Sequence, residues 1–451
     1  MYASKKVRNF DDISVAGRRF GTFSAAVGSA SNVAGGASTV GTAADGFKIG
    51  LSGGWFGVAT ALAGPVTAWF MGIVKKVADR HRFVTVGDFL GYRYSKSAKV
   101  IAGAVNGISY AGFVAGQAVT LGAVLSSVIG WDFNASIAVG SLVCIGYTIA
   151  GGLPAAVYTD YLQLTTIWLG MAVVGLPVAL GMVGGFGALV TSLPAEFFDI
   201  GRVGVGSVLG VLIPTALSSF VLQAAYAYAI CTRNPSMAVK ARYLQSGLYI
   251  VPTLAALLIG VCGLVYFGSL DNPSQVLPKM ILEIFPSGVA GLVLAAVPAA
   301  TMSTFDTCLT CSVSSFVQDV YKPLINANPS ERHTLIVTRV LMVVVGLFAM
   351  LVAMAFPRII PLILWGYAFG VGALLAPTLA AFFWPRATNG GALAAMLVGG
   401  LTQLSLTIWK VLPAAIPPVL VSLPISAIVL FAVSMITQPP DPKVIDGMRW
   451  K

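Results

Sequence analysis

Two acidic residues fall where a charge is costly. Asp160 stands near the start of one long apolar stretch and Asp306 lies well inside another. An ionisable side chain within a membrane segment is a functional-site hypothesis by default. Around Asp306 the chain reads AATMSTFDTCLTCSVSS over 299–315. Ala300, Ser303, Thr304 and Thr307 recur at i, i+3, i+4 and i+7, so they share one helix face and align a row of hydroxyl oxygens. Such a row, completed by carbonyls from a broken helix, suits a hard cation. The hydroxyls can equally close on carbonyls of their own helix, and Asp160 can equally cap one. Residues 28–43, GSASNVAGGASTVGTA, lack Leu and Ile and carry Gly35–Gly36 at their centre. Each Gly weakens a helix by about 1 kcal/mol, and freed backbone is tolerated in lipid only where it lines a cavity. Close helix packing through small residues is the other reading. Residues 210–223, GVLIPTALSSFVLQ, put Pro214 beside Thr215, Ser218, Ser219 and Gln223, and Pro removes a backbone hydrogen bond.

The elements that must position these residues are membrane helices. Of 451 residues 57% are apolar and 10% charged, with a mean hydropathy of +0.87. That excludes a soluble enzyme, a nucleic-acid binder and a disordered chain, because too little polar surface exists to cover a globule. Apolar runs of twenty or more residues also exclude a β-barrel. The pattern predicts an all-α polytopic membrane protein with about twelve spans, near 20–45, 51–74, 100–128, 134–152, 157–185, 204–230, 244–268, 287–317, 334–356, 359–384, 390–409 and 414–437. With an even number of spans both termini share a side. That side holds 22 of the 27 Lys and Arg residues, so both termini are expected in the cytoplasm. The net charge of +11 is then a topology device facing anionic lipid. Residues 85–94, TVGDFLGYRY, form either a short interfacial helix or a loop. The interrupted spans one and six occupy equivalent places in two five-helix units, and an odd number of helices per unit inverts the second. Paired breaks in inverted repeats point to a transporter's midplane site. No phosphate loop, metal cluster or nucleophile–base pair is visible, so no enzyme is expected. Cys308 and Cys311 read as packing residues, and no cleavable leader is apparent.

Several of these segments resemble one family. Residues 147–163, YTIAGGLPAAVYTDYLQ, look like the signature of the sodium:solute symporters, and 300–307, ATMSTFDT, resemble its second signature. Residues 11–21, DDISVAGRRFG, are similar to the segment before its first core helix, and 30–41, ASNVAGGASTVG, to that helix. The resemblance implies the LeuT-type fold: a first repeat over 20–185, an inverted second repeat over 204–384, and accessory helices over 390–437. These lie between a cytoplasmic segment, 1–19, and a tail, 438–451. It implies secondary active symport of sodium with a small organic solute across the cell membrane, with no tightly bound cofactor. Carried over position by position, the main sodium site uses carbonyls of Ala30, Val33 and Ala300 with hydroxyls of Ser303 and Thr304. A second sodium or proton site uses Asp160 with Ser303, Thr307 and Asp306. The solute site falls around Asn32, Gly35, Gly36, Ser38, Gln117, Thr215, Ser219, Gln223 and Tyr226, with Gly35 and Gly36 enlarging the pocket. Members of the family usually carry an extra helix before the AGR segment; here the sequence starts at that segment, through either a truncated start or a lost helix, and the core is expected to survive in both cases. Proline-transporter-like members carry Ser-Gly-Trp at the break, where this chain has Ala34-Gly35-Gly36, which argues against proline. A proton-driven symporter of the same fold and a sensory membrane domain are the alternatives.

Overall fold

The structure is a computed structural model that describes residues 14–151, 153–413 and 416–449, without the side chains of 150–159, 287–289, 292 and 296. Residues 11–13 of the 11–21 segment, residue 152 of the 147–163 signature, and Lys5, Lys6, Arg8 and Lys451 therefore lie outside the described residues, as do the side chains of 150–159 in that signature. The principal helices are α1 (Thr22–Val33), α2 (Thr42–Ile49), α3 (Trp55–His81), α4 (Val86–Arg93), α5 (Lys96–Ile129) and α6 (Phe133–Gly151). Then come α7 (Leu153–Ile167), α8 (Leu176–Met182), α9 (Gly204–Ser218), α10 (Gln223–Ile230) and α11 (Pro235–Phe267). The remainder are α12 (Val276–Ile284), α13 (Ser287–Ser315), α14 (Glu331–Ala355), α15 (Ile359–Phe383), α16 (Asn389–Trp409) and α17 (Val419–Ile436).

Among the described residues ten helical stretches are long and apolar enough to cross a membrane, and Phe133–Ile149 is a shorter apolar helix. The difference from twelve apolar runs has a local cause. The chain breaks at 34–36, which isolates α1 at 12 residues. A π-turn at Ala37–Gly41, α2 and a 3-10 turn at Gly50–Gly54 then carry it into α3 without a straight segment between, one 45-residue stretch. The 85–94 segment is a helix, α4, started by a capping box in which Thr85 and Asp88 each accept the other's backbone N–H.

α5 lies at the centre, packed on α6, α13 and α15, while α11 packs across α1, α2 and α3. α11 and α2 meet backbone to backbone: a Cβ at Gly260 would overlap the Ala43 carbonyl. The α16–α17 pair packs on α15. Along α14, Ile336, Val340, Val344, Phe348 and Leu351 are exposed on the outward side, a lipid-facing stripe. One end of the molecule is strapped. Phe20 N–H donates to the Cys231 carbonyl (2.9 Å), Arg233 N–H donates to the Phe20 carbonyl (3.0 Å), and Arg233 Nε–H donates to the Arg19 carbonyl (2.9 Å). Arg18 grips Asp79 at 2.9 Å together with the Ala78 and Phe83 carbonyls. Lys75 joins Asp79 to the Ile230 carbonyl that ends α10.

Several charges are not where the sequence suggested. Lys75, Arg93 and Arg242, three of the 22 basic residues counted on the cytoplasmic side, are each 5% exposed or less. Asp319, just past the apolar run, is buried on a π-turn that extends α13. It accepts from Thr85 at 2.7 Å and lies 3.7 Å from Lys99.

Candidate functional site

The break after α1 is held open by its neighbours. Ala34 N–H still reaches the Ala30 carbonyl (2.8 Å), and the Val33 carbonyl accepts from Ser38 Oγ. Gly36 N–H, freed from any helix partner, donates to Gln117 Oε1 on α5 (2.9 Å). A Cβ at Gly35 would overlap Thr304 Oγ1 on α13, and one at Gly36 would overlap Thr120 on α5. The two glycines therefore bring the backbone against α13 and α5 instead of enlarging a pocket. The second break, between α9 and α10, spans residues 219–222 and follows Pro214. Asn106 Oδ1 accepts from Gln223 N–H, and the Tyr110 hydroxyl accepts from Ala224 N–H, so α5 caps the first donors of α10.

Two polar clusters flank α1. In one, Asp160 Oδ1 on α7 accepts from Ser31 Oγ on α1 (2.8 Å) and Ser303 Oγ on α13 (2.5 Å). Among the described residues its Oδ2 has no partner, and the residue is 0% exposed. Thr304 Oγ1 lies 3.1 Å from the Ala300 carbonyl and 3.4 Å from the Ser31 carbonyl. One carboxylate, three hydroxyls and the Ser31 and Ala300 carbonyls thus gather in a buried place. Oxygen-only donor sets of this kind suit a small hard cation.

The other cluster opens into the central cavity, which encloses about 750 Å³ of empty space counting its mouth and the solvent there. Asn32, Val33, Gln117, Thr215, Ser219 and Thr304 line it, and so does the Arg242–Gln245 pair of α11. Tyr110, Phe113, Tyr228 and Tyr367 form aromatic walls. Asn32 Oδ1 and Thr215 Oγ1 are buried without a hydrogen-bond partner among the described residues.

The remaining residues singled out from the sequence lie elsewhere. Gly35 and Gly36 pack behind the lining. Ser38 is buried between the Val33 carbonyl and the Tyr249 hydroxyl. Gln223 donates to the Val84 carbonyl and accepts from Val86 N–H, both at 2.9 Å, tying α10 to the start of α4. The Tyr226 hydroxyl donates to the Phe220 carbonyl. Thr307 faces the Tyr228 hydroxyl. Asp306 accepts from Thr310 Oγ1 (3.4 Å) and lies beside Thr148, and it makes no hydrogen bond to the Asp160 cluster among the described residues. Sequence reasoning missed Ser31, Gln245 and Arg242. Asn234-Pro235 was the available signal: Asn accepts from Met237 N–H as N-cap and Pro opens α11. That start places Arg242 two turns inside the helix.

The Sodium:solute symporter family profile matches residues 14–399. The high-affinity proline transporter PutP of Bacillus subtilis is 27% identical, over 99% of this chain and 96% of its own length. The sodium/proline symporter of Escherichia coli is 26% identical over 90% of this chain and 84% of its own. The human sodium/iodide cotransporter is 24% identical over 91% and 66%. Among solved structures, a sodium-coupled sialic acid symporter in a substrate-bound outward-open state superposes with a TM-score of 0.81. It is 20% identical and covers 98% of this chain and 95% of its own. A nucleobase-cation-symport-1 family transporter gives a TM-score of 0.61 at 13% identity, covering 97% and 98%. These two likenesses establish the LeuT-like helical fold. By sequence, the chain belongs to the sodium:solute symporter family.

Proposed function

We propose that the sodium-coupled symport of this family runs, in this chain, through the cavity between the two helix breaks. Sodium is held by the Ser303 and Thr304 hydroxyls, the Asp160 carboxylate and the α1 and α13 carbonyls of Ala30, Val33 and Ala300. The small organic solute sits against Asn32, Gln117, Thr215 and Ser219. The observation that carries this reading is the convergence of Ser31 and Ser303 on one buried oxygen of Asp160, with Thr304 beside it at the end of α1. A cation there would tie α1 to α13 and α7, and α1 also borders the solute cavity. Occupancy of one site therefore alters the wall of the other, which is how two cargoes become coupled. The helices group as two inverted five-helix repeats, 20–185 and 204–384, with accessory helices at 390–437, and make twelve spans with both termini cytoplasmic.

Proline, the solute named for the two bacterial relatives, is the first to assay, together with sugars, carboxylates and vitamins. Uptake into proteoliposomes with sodium replaced by choline at constant pH is the test. Sodium symport requires accumulation to collapse in choline. Accumulation that persists in choline and follows a pH gradient would instead assign the drive to protons through Asp160 or Asp306.

A further inference from the structure

We propose that the co-transported solute carries a carboxylate, and that Arg242 on α11 is the residue that binds it; this rests on the symport reading above. Arg242 is 5% exposed and is the sole formally charged side chain lining the central cavity among the described residues. No carboxylate lies within salt-bridge distance of it among those residues. Its contacts are neutral: Gln245 Oε1 at 2.5 Å from Nη1, and the Ala63 carbonyl, Thr67 Oγ1 and Ser219 Oγ at 2.8–3.1 Å from Nη2. Nε has no partner.

A buried cation kept away from any counter-charge is unfavourable unless a ligand supplies one. The other buried cations differ. Lys75 has Asp79. Arg93 points at three carbonyls, Trp384, Pro385 and Ala387, just beyond the C-terminal end of α15 and away from the cavity, where a helix dipole favours positive charge. Arg242 has no helix end to serve. It faces the space between α3, the α9–α10 break and α1, where a planar guanidinium recognises a planar carboxylate. The aromatic walls opposite would hold the organic remainder of the solute.

The arrangement also accounts for coupling. Ser29 and Ser31, two residues apart on α1, point to opposite sides. Ser29 Oγ donates to Gln245 Oε1, which also takes Arg242 Nη1, while Ser31 Oγ donates to Asp160. One helix therefore stands between a buried cation and a buried anion. Sodium alone would match Asp160 and leave Arg242 unmatched; a carboxylate alone would do the reverse. Only together do they neutralise both.

The test uses the purified full chain in saturating sodium and matched acid–amide pairs: acetate and acetamide, propionate and propionamide, benzoate and benzamide, L-proline and L-prolinamide. Thermal stabilisation is expected from at least one acid and from no amide. For that acid, Arg242→Gln should raise Kd by about thirtyfold or more, with Arg242→Lys intermediate. Amides that stabilise as well as acids, or no stabilising acid at all, overturn the proposal. So does a folded Arg242→Gln protein that binds the acid as the wild type does. Should Arg242→Gln fail to fold, the acid–amide comparison on the wild type decides. Repeating the wild-type series in choline separates the two readings. Acid binding unchanged in choline removes the sodium coupling and keeps Arg242. Sodium stabilisation with no acid response removes Arg242 and keeps the sodium site.

Discussion

Asp160 turns one oxygen to two hydroxyls, and the other has no partner among the described residues. If its role were to anchor those hydroxyls, Asn would replace it at small cost, because Asn keeps the size and an acceptor. If its charge holds a cation, Asn fails. We expect Asp160→Asn to insert and express but to lose most sodium-driven accumulation; wild-type accumulation with an unaltered sodium curve would return Asp160 to a structural role. Thr304→Ala removes one neutral ligand, worth about 1–3 kcal/mol. The sodium concentration for half-maximal uptake should then rise roughly 5- to 150-fold, with abundance near normal by immunoblot. The residues on the α13 face were legible from spacing alone, since 300, 303, 304 and 307 must share a helix face. Ser31 was not: a serine among small residues carries no signal until α7 supplies its acceptor. Arg242 was misread because a basic residue after a polar loop looks like a membrane flank, and only the helix start at Pro235 moves it inside.

The breaks in α1 and between α9 and α10 were readable from Gly35–Gly36 and Pro214, because backbone chemistry is local. What the breaks are for was not, since that depends on α5 and α13, which are distant in sequence. The glycine pair looked like empty space and proved to be close contact. Gly36→Ala should therefore cost about 1–3 kcal/mol by overpacking against Thr120, seen as a lower melting temperature in detergent; an unchanged melting temperature would mean that the contact has room to relax. Gln223 illustrates the converse. Read as a solute ligand, it sits in a backbone latch between α10 and α4. Gln223→Leu strands the Val86 N–H and the Val84 carbonyl, a loss of about 1–3 kcal/mol. Melting should fall while the sodium dependence of the surviving protein stays put. A raised solute KM at unchanged stability would restore Gln223 to the solute site.

Across the whole molecule, three basic residues that had counted towards orientation are buried, leaving 19 against 5 from the original 22 and 27. The asymmetry survives, so reporter fusions at residue 451 and in the 82–85 connection should both read cytoplasmic; an extracellular signal at either inverts the arrangement. The strap at Phe20 has a mechanical consequence. It fastens the start of α1 to the link that follows α10, and both half-helices run from that end of the molecule up to their breaks. Two stubs otherwise free to swing separately become one lever with a common pivot, and Lys75 clamps that pivot to α3. Spectroscopic labels near residues 22 and 230 should then report one relaxation time and a fixed mutual distance while both move against α5. Weakening the clamp with Lys75→Met should leave the two labels moving together at a fixed distance and let the joined pair move more freely against α3.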